Sequence, residues 1–225
     1  MEKLIYFYGV LLLVITLGCR QSNDANKHAE AIAQQTLNPV QTERQDGLEE
    51  TYFASGCFWC VEGIYEEIIG VKEAISGYSG GTMPNPTYQN HGDHAETIKV
   101  IYNPILVDFE TLLEVYFGSQ NITQINGQGP DRGTSYRSIV FYQNEEEKEL
   151  IEAKITSLNL QLGDEKVAAQ VLPFQKFYVA EAYHQDFEKN NPDHPYIQNI
   201  SVPRKKKFEK KFPELLKENQ RSAAE

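Results

Sequence analysis

The order in which strand-like and helix-like hydrophobic patterns follow one another constrains the fold of this chain more than any other feature. Strand patterns occupy residues 50–55, 71–78, 97–102 and 136–142. Helical spacing follows Cys57, where the predicted helix ends near Gly70, and recurs after Asp108, a residue type that caps helices. The order β-α-β-β-α-β predicts an α+β fold, a two-layer α/β sandwich with a ferredoxin-like core.

Three more elements are predicted as C-terminal extensions of this core. Asn144 caps a further helix with one apolar face, residues 167–172 have a strand pattern, and residues 180–189 have a helical one. With 225 residues, the chain is long enough for one domain plus appendages. A formal net charge of -11 argues against nucleic-acid binding, because phosphates would be repelled.

The N-terminal residues are predicted to lie outside the domain. Lys3 precedes an apolar run, residues 4–17, and Gly18-Cys19 follows it, as in a secretory signal. The run is short for a membrane span. Because Gly18-Cys19 resembles a bacterial lipobox, we expect a lipoprotein anchored at Cys19 in the bacterial cell envelope, on the periplasmic side or at the outer membrane. The alternative is a simple cleaved signal or a short membrane anchor.

These patterns divide the chain into four parts. We expect a signal peptide at 1–19, a polar tether at 20–47, a folded domain at 48–212 and a polar C-terminal tail at 213–225. The tether is predicted because that stretch is polar and has few large apolar residues. The envelope is an oxidising compartment, so a disulfide between the two remaining cysteines would be stable there unless something reduces it.

Those two cysteines stand three positions apart in Gly56-Cys57-Phe58-Trp59-Cys60, between the first strand and the first helix. A cysteine at the start of a helix faces unpaired N–H groups and the positive end of the helix dipole, which favour its reactive thiolate form. Cys60 lies one helical turn further on, within reach for a disulfide. Phe58 and Trp59, the only tryptophan, place an apolar wall beside the sulfur, which suggests redox chemistry on a small apolar substrate.

Three interpretations of the cysteine pair are open at this point. A purely structural disulfide would close a very small loop and stabilise the fold little. A metal site would need further ligands, which His91 and His94 could supply, but a His-x-x-His loop beside Asn and Asp is a weak zinc pattern. The strand–turn–helix placement favours a redox or nucleophilic cysteine, although the rest of the chain fits a thioredoxin-like protein poorly.

Polar side chains in or next to the predicted loops could converge on the cysteines. They are Tyr88, Glu96, Asp131 and Tyr136. Each residue alone is most simply a surface or turn residue. Together they offer acid and phenol groups, which a thiolate needs in order to remove oxygen from a polarised S–O group.

Six motifs in order make the chain resemble the A-type peptide methionine sulfoxide reductases. The motifs are Gly56-Cys57-Phe58-Trp59, Gly77-Tyr78-Ser79-Gly80-Gly81, Asn85-Pro86-Thr87-Tyr88, His94-Ala95-Glu96, Gln128-Gly129-x-Asp131-x-Gly133-x-x-Tyr136-Arg137-Ser138 and Ala180-Glu181-x-Tyr183-His184-Gln185. They span about residues 52–190, which is most of the predicted domain. Six ordered motifs are far more specific than a lone Cys-x-x-Cys.

The resemblance implies reduction of methionine-S-sulfoxide, free or in oxidised proteins, as a protein-repair reaction under oxidative stress. Cys57 would be the nucleophile, and Phe58 and Trp59 would form the pocket for the ε-methyl group of the substrate. Attack would leave Cys57 as a sulfenic acid, and Cys60 would condense with it to a disulfide. No bound cofactor is implied; an external reductant of the thioredoxin fold would regenerate the dithiol.

The remaining roles implied by the resemblance concern the sulfoxide oxygen. Glu96 would be held protonated and would donate to that oxygen, while Tyr88 and Tyr136 would bind it. Asp131 would assist through water or through the tyrosines. These roles agree with the physics, since desolvation beside aromatic walls favours the neutral form of a carboxyl group.

The chain departs from the family pattern at three places, one of which is a loop between Tyr88 and Glu96 that is shorter than in many relatives. Many members have Gly in place of Cys60 and use a distant C-terminal cysteine, whereas this sequence has no cysteine after Cys60. We therefore expect Cys60 to be the resolving residue. The usual His-Asp-Pro-Thr stretch is Gln120-Asn121-Ile122-Thr123 here, in a region expected to support the site rather than to react.

Two other functions remain as alternatives from the sequence. A general thiol–disulfide oxidoreductase of the envelope would act on disulfides even after Glu96→Gln. A non-catalytic module that binds methionine-rich or oxidised partners would still bind them after Cys57→Ser.

Overall fold

The computed structural model describes residues 37–218. From Pro39 onwards these residues form one compact unit. The predicted signal peptide with its lipobox-like Cys19, residues 20–36 of the predicted tether and residues 219–225 of the predicted tail lie outside the described residues. Across residues 37–218, no helix combines the length and the apolar character that crossing a membrane requires.

Eight strands are present in the described part of the chain, six of them in a central sheet. In chain order they are β1 (Glu49–Ala54), β2 (Val71–Ser79), β3 (Ala95–Tyr102), β4 (Gly127–Gln128), β5 (Asp131–Arg132), β6 (Ile139–Tyr142), β7 (Gln170–Pro173) and β8 (Tyr178–Val179). The sheet has the strand order β7-β6-β1-β3-β2-β8, and β4 pairs with β5 in a separate hairpin.

The inner four strands confirm the predicted ferredoxin-like core. Strand β1 lies between β3 and β6 and is antiparallel to both, and β2 is antiparallel to β3. The order β6-β1-β3-β2 is therefore that of a split βαβ sheet. Strand β7 is added parallel to β6 at one edge, and β8 is added antiparallel to β2 at the other.

Five α-helices accompany the sheet in the described residues. They are α1 (Phe58–Tyr65), α2 (Phe109–Gly118), α3 (Glu145–Leu162), α4 (Phe187–Asn190) and α5 (Val202–Lys211). The two predicted caps are confirmed: the Asp108 side chain accepts the Thr111 N–H at 2.8 Å, and the Asn144 side chain accepts the Glu147 N–H at 2.9 Å. Each cap satisfies an N–H group that the first helical turn leaves unpaired.

Strand β1 divides the core because its successive side chains point to opposite faces of the sheet. Phe53 is fully buried in the main apolar cluster, together with side chains of α1, α2 and α5. Its neighbours Tyr52 and Ala54 belong to a smaller cluster with Phe141 and Phe174. Helix α1, which follows the cysteine turn, is thus packed firmly against the sheet.

One helix prediction was wrong. Residues 180–189 do not form a continuous helix but a 3₁₀ turn, Ala182–His184, followed by the short α4. The Gln185 side chain accepts the Ser76 N–H and donates to the Ser76 carbonyl, each across 3.0 Å. It thus pairs with the backbone of β2 in the way that a neighbouring strand does. Asp186 then has a φ of 53°, which interrupts any helix at that point.

Packing extends beyond both expected domain boundaries, 48 and 212. Upstream, the Val40 N–H donates to the Phe174 carbonyl across 2.8 Å. Downstream, the Ile69 N–H donates to the Leu215 carbonyl across 2.8 Å, and Leu216 is buried. Leu216, in the predicted polar tail, is thus part of the main apolar cluster and pairs with Ile68, three residues after α1 ends.

Candidate active site

Gly56 makes the sharp turn between β1 and α1. Its φ of +78° lies in the left-handed region, and a Cβ at this position would stand 2.4 Å from Cβ of Gln128. Only glycine fits a position with both restrictions. The turn places Cys57 directly before the first residue of α1, as the sequence predicts.

Cys57 and Cys60 are both free thiols and both buried. Burial raises the pKa of Cys57 well above its usual value, and the hydrogen bond and charge of Cys60 act in the same direction. The hydrogen bond with Cys57 lowers the pKa of Cys60 to about 7 against the effect of burial, and the Arg204 charge assists. Burial therefore opposes the thiolate form that the sequence predicts for Cys57 at the start of α1.

Glu96 lies beside the cysteine turn at the start of β3. Its Oε2 accepts the backbone N–H of Phe58 at 3.0 Å, so one donor of the helix N-terminus is directed at this carboxyl group rather than at sulfur. Glu96 is 2 % exposed. Burial raises its pKa to about 8, assisted by the negative charge of Asp131 and opposed by the Phe58 N–H. The carboxyl group is accordingly protonated at neutral pH.

Two phenols from separate loops face the same groups. Tyr88 comes from the β2–β3 loop, and Tyr136 from the 3₁₀ turn Thr134–Tyr136 before β6. Burial raises the pKa of both, and repulsion from Glu96 and Cys57, once these groups ionise at high pH, raises it further. Both hydroxyl groups therefore stay protonated and can act as hydrogen-bond donors.

Asp131 lies at the start of β5 and reaches the other side of the cysteine pair. It accepts the Tyr196 hydroxyl at 2.6 Å, and the Cys60 Sγ donates to the same Tyr196 oxygen at 3.7 Å. The sequence did not point to Tyr196: it lies 65 positions from Asp131 and 136 positions from Cys60. No spacing or residue pattern could have found it.

The two aromatic residues after Cys57 lie in different surroundings. Phe58 is buried, and its ring centroid lies 5.0 Å from that of His184 and 6.4 Å from that of Tyr88. Trp59 is half-buried and stacks on Phe187 at 3.7 Å. Together with Tyr88, they form an apolar wall beside Cys57.

The last sequence motif supplies supporting residues to which no role had been assigned. The Trp59 indole N–H donates to Nδ1 of His184 across 3.1 Å, which fixes the plane of the indole ring. Glu181 accepts the Tyr88 N–H at 2.9 Å and the Tyr78 hydroxyl at 3.0 Å. The sequence motif contains both His184 and Glu181, but only the fold shows that they position Trp59, Tyr78 and Tyr88.

The polar stretch that departs from the family pattern also has a supporting position. Gln120 Oε1 accepts from the Gln128 side chain at 3.1 Å and from the Ser138 hydroxyl at 2.9 Å. The Asn121 N–H donates to Gln128 Oε1 across 2.9 Å. These bonds fix the β4–β5 hairpin, which carries Asp131.

The residues considered for a metal site are engaged elsewhere. The His91 ring nitrogens lie 3.2 Å from the Tyr88 carbonyl and 2.7 Å from the Ser135 hydroxyl. The His94 ring nitrogens contact the Gly81 N–H and the Met83 carbonyl. Neither ring has a nitrogen left to join the cysteines as a ligand.

The site thus combines a thiol with a proton donor in a dry environment. Cys57 lies beside a protonated carboxyl group, two phenols and an aromatic wall, and a second thiol stands one turn away. The acid groups can protonate an oxygen atom that the Cys57 sulfur removes from a substrate. The Cys60 thiol can then displace that oxygen from Cys57 and form a disulfide.

Comparisons with known proteins agree with this chemistry. The family model described as peptide methionine sulfoxide reductase matches residues 49–216. The peptide methionine sulfoxide reductase MsrA 2 of Synechocystis sp. is 41% identical over 187 residues, 80% of this chain and 87% of that protein. The MsrA of Pasteurella multocida is 41% identical over 173 residues, 75% of this chain and 99% of that protein.

Solved structures show the same relationship. The methionine sulfoxide reductase A of Corynebacterium diphtheriae has a TM-score of 0.59 at 27% identity, covering 71% of this chain and 87% of that one. Reduced Mxr1 of Saccharomyces cerevisiae has a TM-score of 0.59 at 29% identity, covering 70% and 93%. The chain belongs to the peptide methionine sulfoxide reductase family.

Proposed function

We propose that this chain reduces methionine-S-sulfoxide, free and in oxidised proteins, to methionine through Cys57. Family membership supports the reaction class, and the preference for the S epimer follows from the likeness to A-type members. One contact carries the proposal: the protonated Glu96 carboxyl group is held 3.0 Å from the N–H of Phe58, the residue next to Cys57. Sulfoxide oxygen is a poor leaving group until it is protonated, and this contact fixes the acid beside the nucleophile.

In the first step the Cys57 sulfur attacks the sulfoxide sulfur. Glu96 gives a proton to the oxygen and takes up the proton of the Cys57 thiol, while Tyr88 and Tyr136 donate hydrogen bonds to the oxygen. The oxygen then moves to the Cys57 sulfur: a new S–O bond forms there, while the S–O bond of the substrate and the S–S bond made by the attack both break. Thiol and sulfoxide have become sulfenic acid and methionine, with no change in net charge.

The aromatic wall selects the substrate. Phe58 and Trp59 directly follow Cys57 in the chain and present apolar surface beside its sulfur. The methyl group of the sulfoxide is apolar and can pack against this surface. Burying one such group stabilises the complex by about 1 kcal/mol. The His184 bond keeps the indole in place for this contact.

In the second step Cys60 condenses with the Cys57 sulfenic acid, releasing water and forming a disulfide. An external dithiol of the thioredoxin type then reduces that disulfide by thiol–disulfide exchange. Asp131 acts on the Cys60 side of the pair, where its hydrogen bond to Tyr196 is formed. No bound cofactor takes part in this scheme.

The test is single-turnover reduction of the separated S and R epimers of a blocked methionine sulfoxide by pre-reduced protein. We expect about one methionine per protein from the S epimer alone, with loss of both thiols. Absence of methionine from both epimers would overturn the proposal. If the thiols of that protein reacted with disulfides, and did so equally in Glu96→Gln, the oxidoreductase alternative would replace it.

We also propose that Cys19 anchors the protein to the cell envelope as a lipoprotein. The support is the sequence alone: an apolar run followed by Gly18-Cys19. Cys19→Ser is expected to move the protein from the membrane fraction to the soluble fraction. Unchanged membrane association of this variant would contradict lipid attachment at Cys19.

A further inference from the structure

On the Cys60 side, a chain of hydrogen bonds has no role in the proposed sulfoxide step. The Cys60 Sγ donates to the Tyr196 hydroxyl oxygen across 3.7 Å, and that hydroxyl donates to Asp131 Oδ2 across 2.6 Å. We infer that Cys60, Tyr196 and Asp131 form a proton relay that turns the Cys60 thiol into the nucleophile that attacks oxidised Cys57. The inference rests on the proposed function, because the Cys57 sulfenic acid is what Cys60 attacks.

Three distant parts of the chain build the relay. Cys60 lies in the first turn of α1, Asp131 begins β5, and Tyr196 directly precedes a π-helical turn, Ile197–Ser201. Such turns are rare and often occur at functional sites. The three relay residues line one cavity of about 480 Å³, together with Arg204. The cavity gives the transferred proton a route to solvent.

The electrostatic surroundings of Tyr196 favour proton transfer through a phenol that stays neutral. Burial raises the pKa of Tyr196, and the charges of Cys57 and Cys60 raise it further. The phenol therefore does not hold a negative charge, but it can accept one proton while giving up another. The guanidinium of Arg204, bonded at 2.9 Å to the Ser55 carbonyl, supplies positive charge near the Cys60 sulfur.

The step balances as follows. Cys60 gives its proton to the Tyr196 oxygen, and the former Tyr196 proton moves to Asp131. The Cys60 sulfur forms a bond to the Cys57 sulfur, and the S–O bond of the sulfenic acid breaks. The departing hydroxide takes up a proton from the Glu96 carboxyl group, which the first step left protonated. Asp131 releases the Cys60 proton to solvent and Glu96 regains one from solvent, so thiol and sulfenic acid yield a disulfide and one water.

The Tyr196 hydroxyl also interacts with Cys57, so it could instead serve the sulfoxide step. The two assignments differ in which rate depends on the hydroxyl group. Transient kinetics separates them, since methionine release reports the first step and disulfide formation reports the second. A purely structural role would affect both rates together.

The experiment uses the pre-reduced full chain mixed with excess methionine-S-sulfoxide, quenched at successive times. Methionine is counted, sulfenic acid is trapped with dimedone, and the disulfide is measured by mass. The variants are Tyr196→Phe and Asp131→Asn. The matched control is Tyr142→Phe, which removes the same hydroxyl group from a buried tyrosine of β6 whose ring faces Lys148 of α3.

We expect both relay variants to slow disulfide formation about tenfold or more relative to methionine release, because general base catalysis is typically worth ~10²-fold or more. Dimedone-trapped Cys57 should accumulate in both, and Tyr142→Phe should match the unaltered protein. An unchanged ratio of the two rates in Tyr196→Phe and Asp131→Asn would overturn the relay. Failure of the unaltered protein to release methionine would instead overturn the proposed function.

Discussion

Cys57 and Cys60 lie one helical turn apart and are both buried, yet the groups around them differ in polarity and charge. The Cys57 side is formed by a neutral carboxyl group, two phenols and an aromatic wall. The Cys60 side is polar and charged, with Tyr196, Asp131 and Arg204 around one cavity. Burial dominates on the first side and raises the Cys57 pKa; hydrogen bonding and positive charge dominate on the second and lower the Cys60 pKa.

This difference shows how one short helix can carry two reactions in sequence. A dry site strengthens the proton donation that sulfoxide reduction requires. A charged site supplies the nucleophile that disulfide formation requires, since an attacking thiol works best with a pKa near the ambient pH. The three-residue spacing keeps the sulfurs within bonding reach while it separates their environments.

The largest expected effect is a contrast between the two serine variants. Cys57→Ser should abolish methionine formation, because it removes the attacking sulfur. Cys60→Ser should still release about one methionine per protein without added reductant, but should fail with thioredoxin-type recycling. Full thioredoxin-dependent turnover of Cys60→Ser would show that the two sides are not divided in this way.

The next effect concerns the acid on the Cys57 side. Glu96→Gln should slow methionine release about 10²- to 10⁴-fold, the usual worth of a positioned general acid. Since the Glu96 pKa is about 8, the protonated donor is lost as the pH rises through 8, so the rate should fall there. Single-turnover rates between pH 6 and 10 check this, and the slow rate of Glu96→Gln should show no such fall.

A smaller effect is expected for a single phenol on the Cys57 side. Tyr136→Phe should slow methionine release roughly 10- to 100-fold, because one hydrogen bond to a developing charge is worth about 1.5–3 kcal/mol. The ratio of disulfide formation to methionine release should not fall, in contrast to Tyr196→Phe. If Tyr136→Phe and Tyr196→Phe changed this ratio equally, the two sides of the cysteine pair would not have separate roles.

The smallest effect is a difference in thiol titration. In the reduced protein, the first thiolate should appear near pH 7 and belong to Cys60, and the second should appear well above the usual thiol value. Thiolate absorbance against pH, with alkylation and mass mapping at pH 7, measures both. Preferential alkylation of Cys57 at pH 7 would reverse the assignment.

Local patterns in the sequence are sufficient to predict the core of the fold. Alternating strands, the caps at Asp108 and Asn144 and the order of elements lead to the observed β6-β1-β3-β2 arrangement. The helix predicted over 180–189 was wrong because its backbone is held by a long-range contact, Gln185 with Ser76. The two residues are 109 positions apart, so the hydrophobic spacing of residues 180–189 contains no information about their contact.

The site could be predicted only where residues are local or belong to a motif. The placement of Cys57 before α1 follows from the strand–turn–helix pattern. The raised Cys57 pKa could not be foreseen, because burial depends on the whole fold and Glu96 takes the Phe58 N–H. Tyr196 could not be found either, since a π-helical turn and a distant hairpin bring it to Cys60.

The stacking of Trp59 on Phe187, with its indole N–H bonded to His184, has an optical consequence. Because the chain contains a single tryptophan, all of its indole emission originates within two residues of both thiols. A change of sulfur oxidation state, or an occupant displacing the stacked ring, alters the polarity and quenching around one fluorophore. The protein therefore carries an intrinsic, label-free reporter through which each stage of a catalytic cycle becomes visible in a stopped-flow trace.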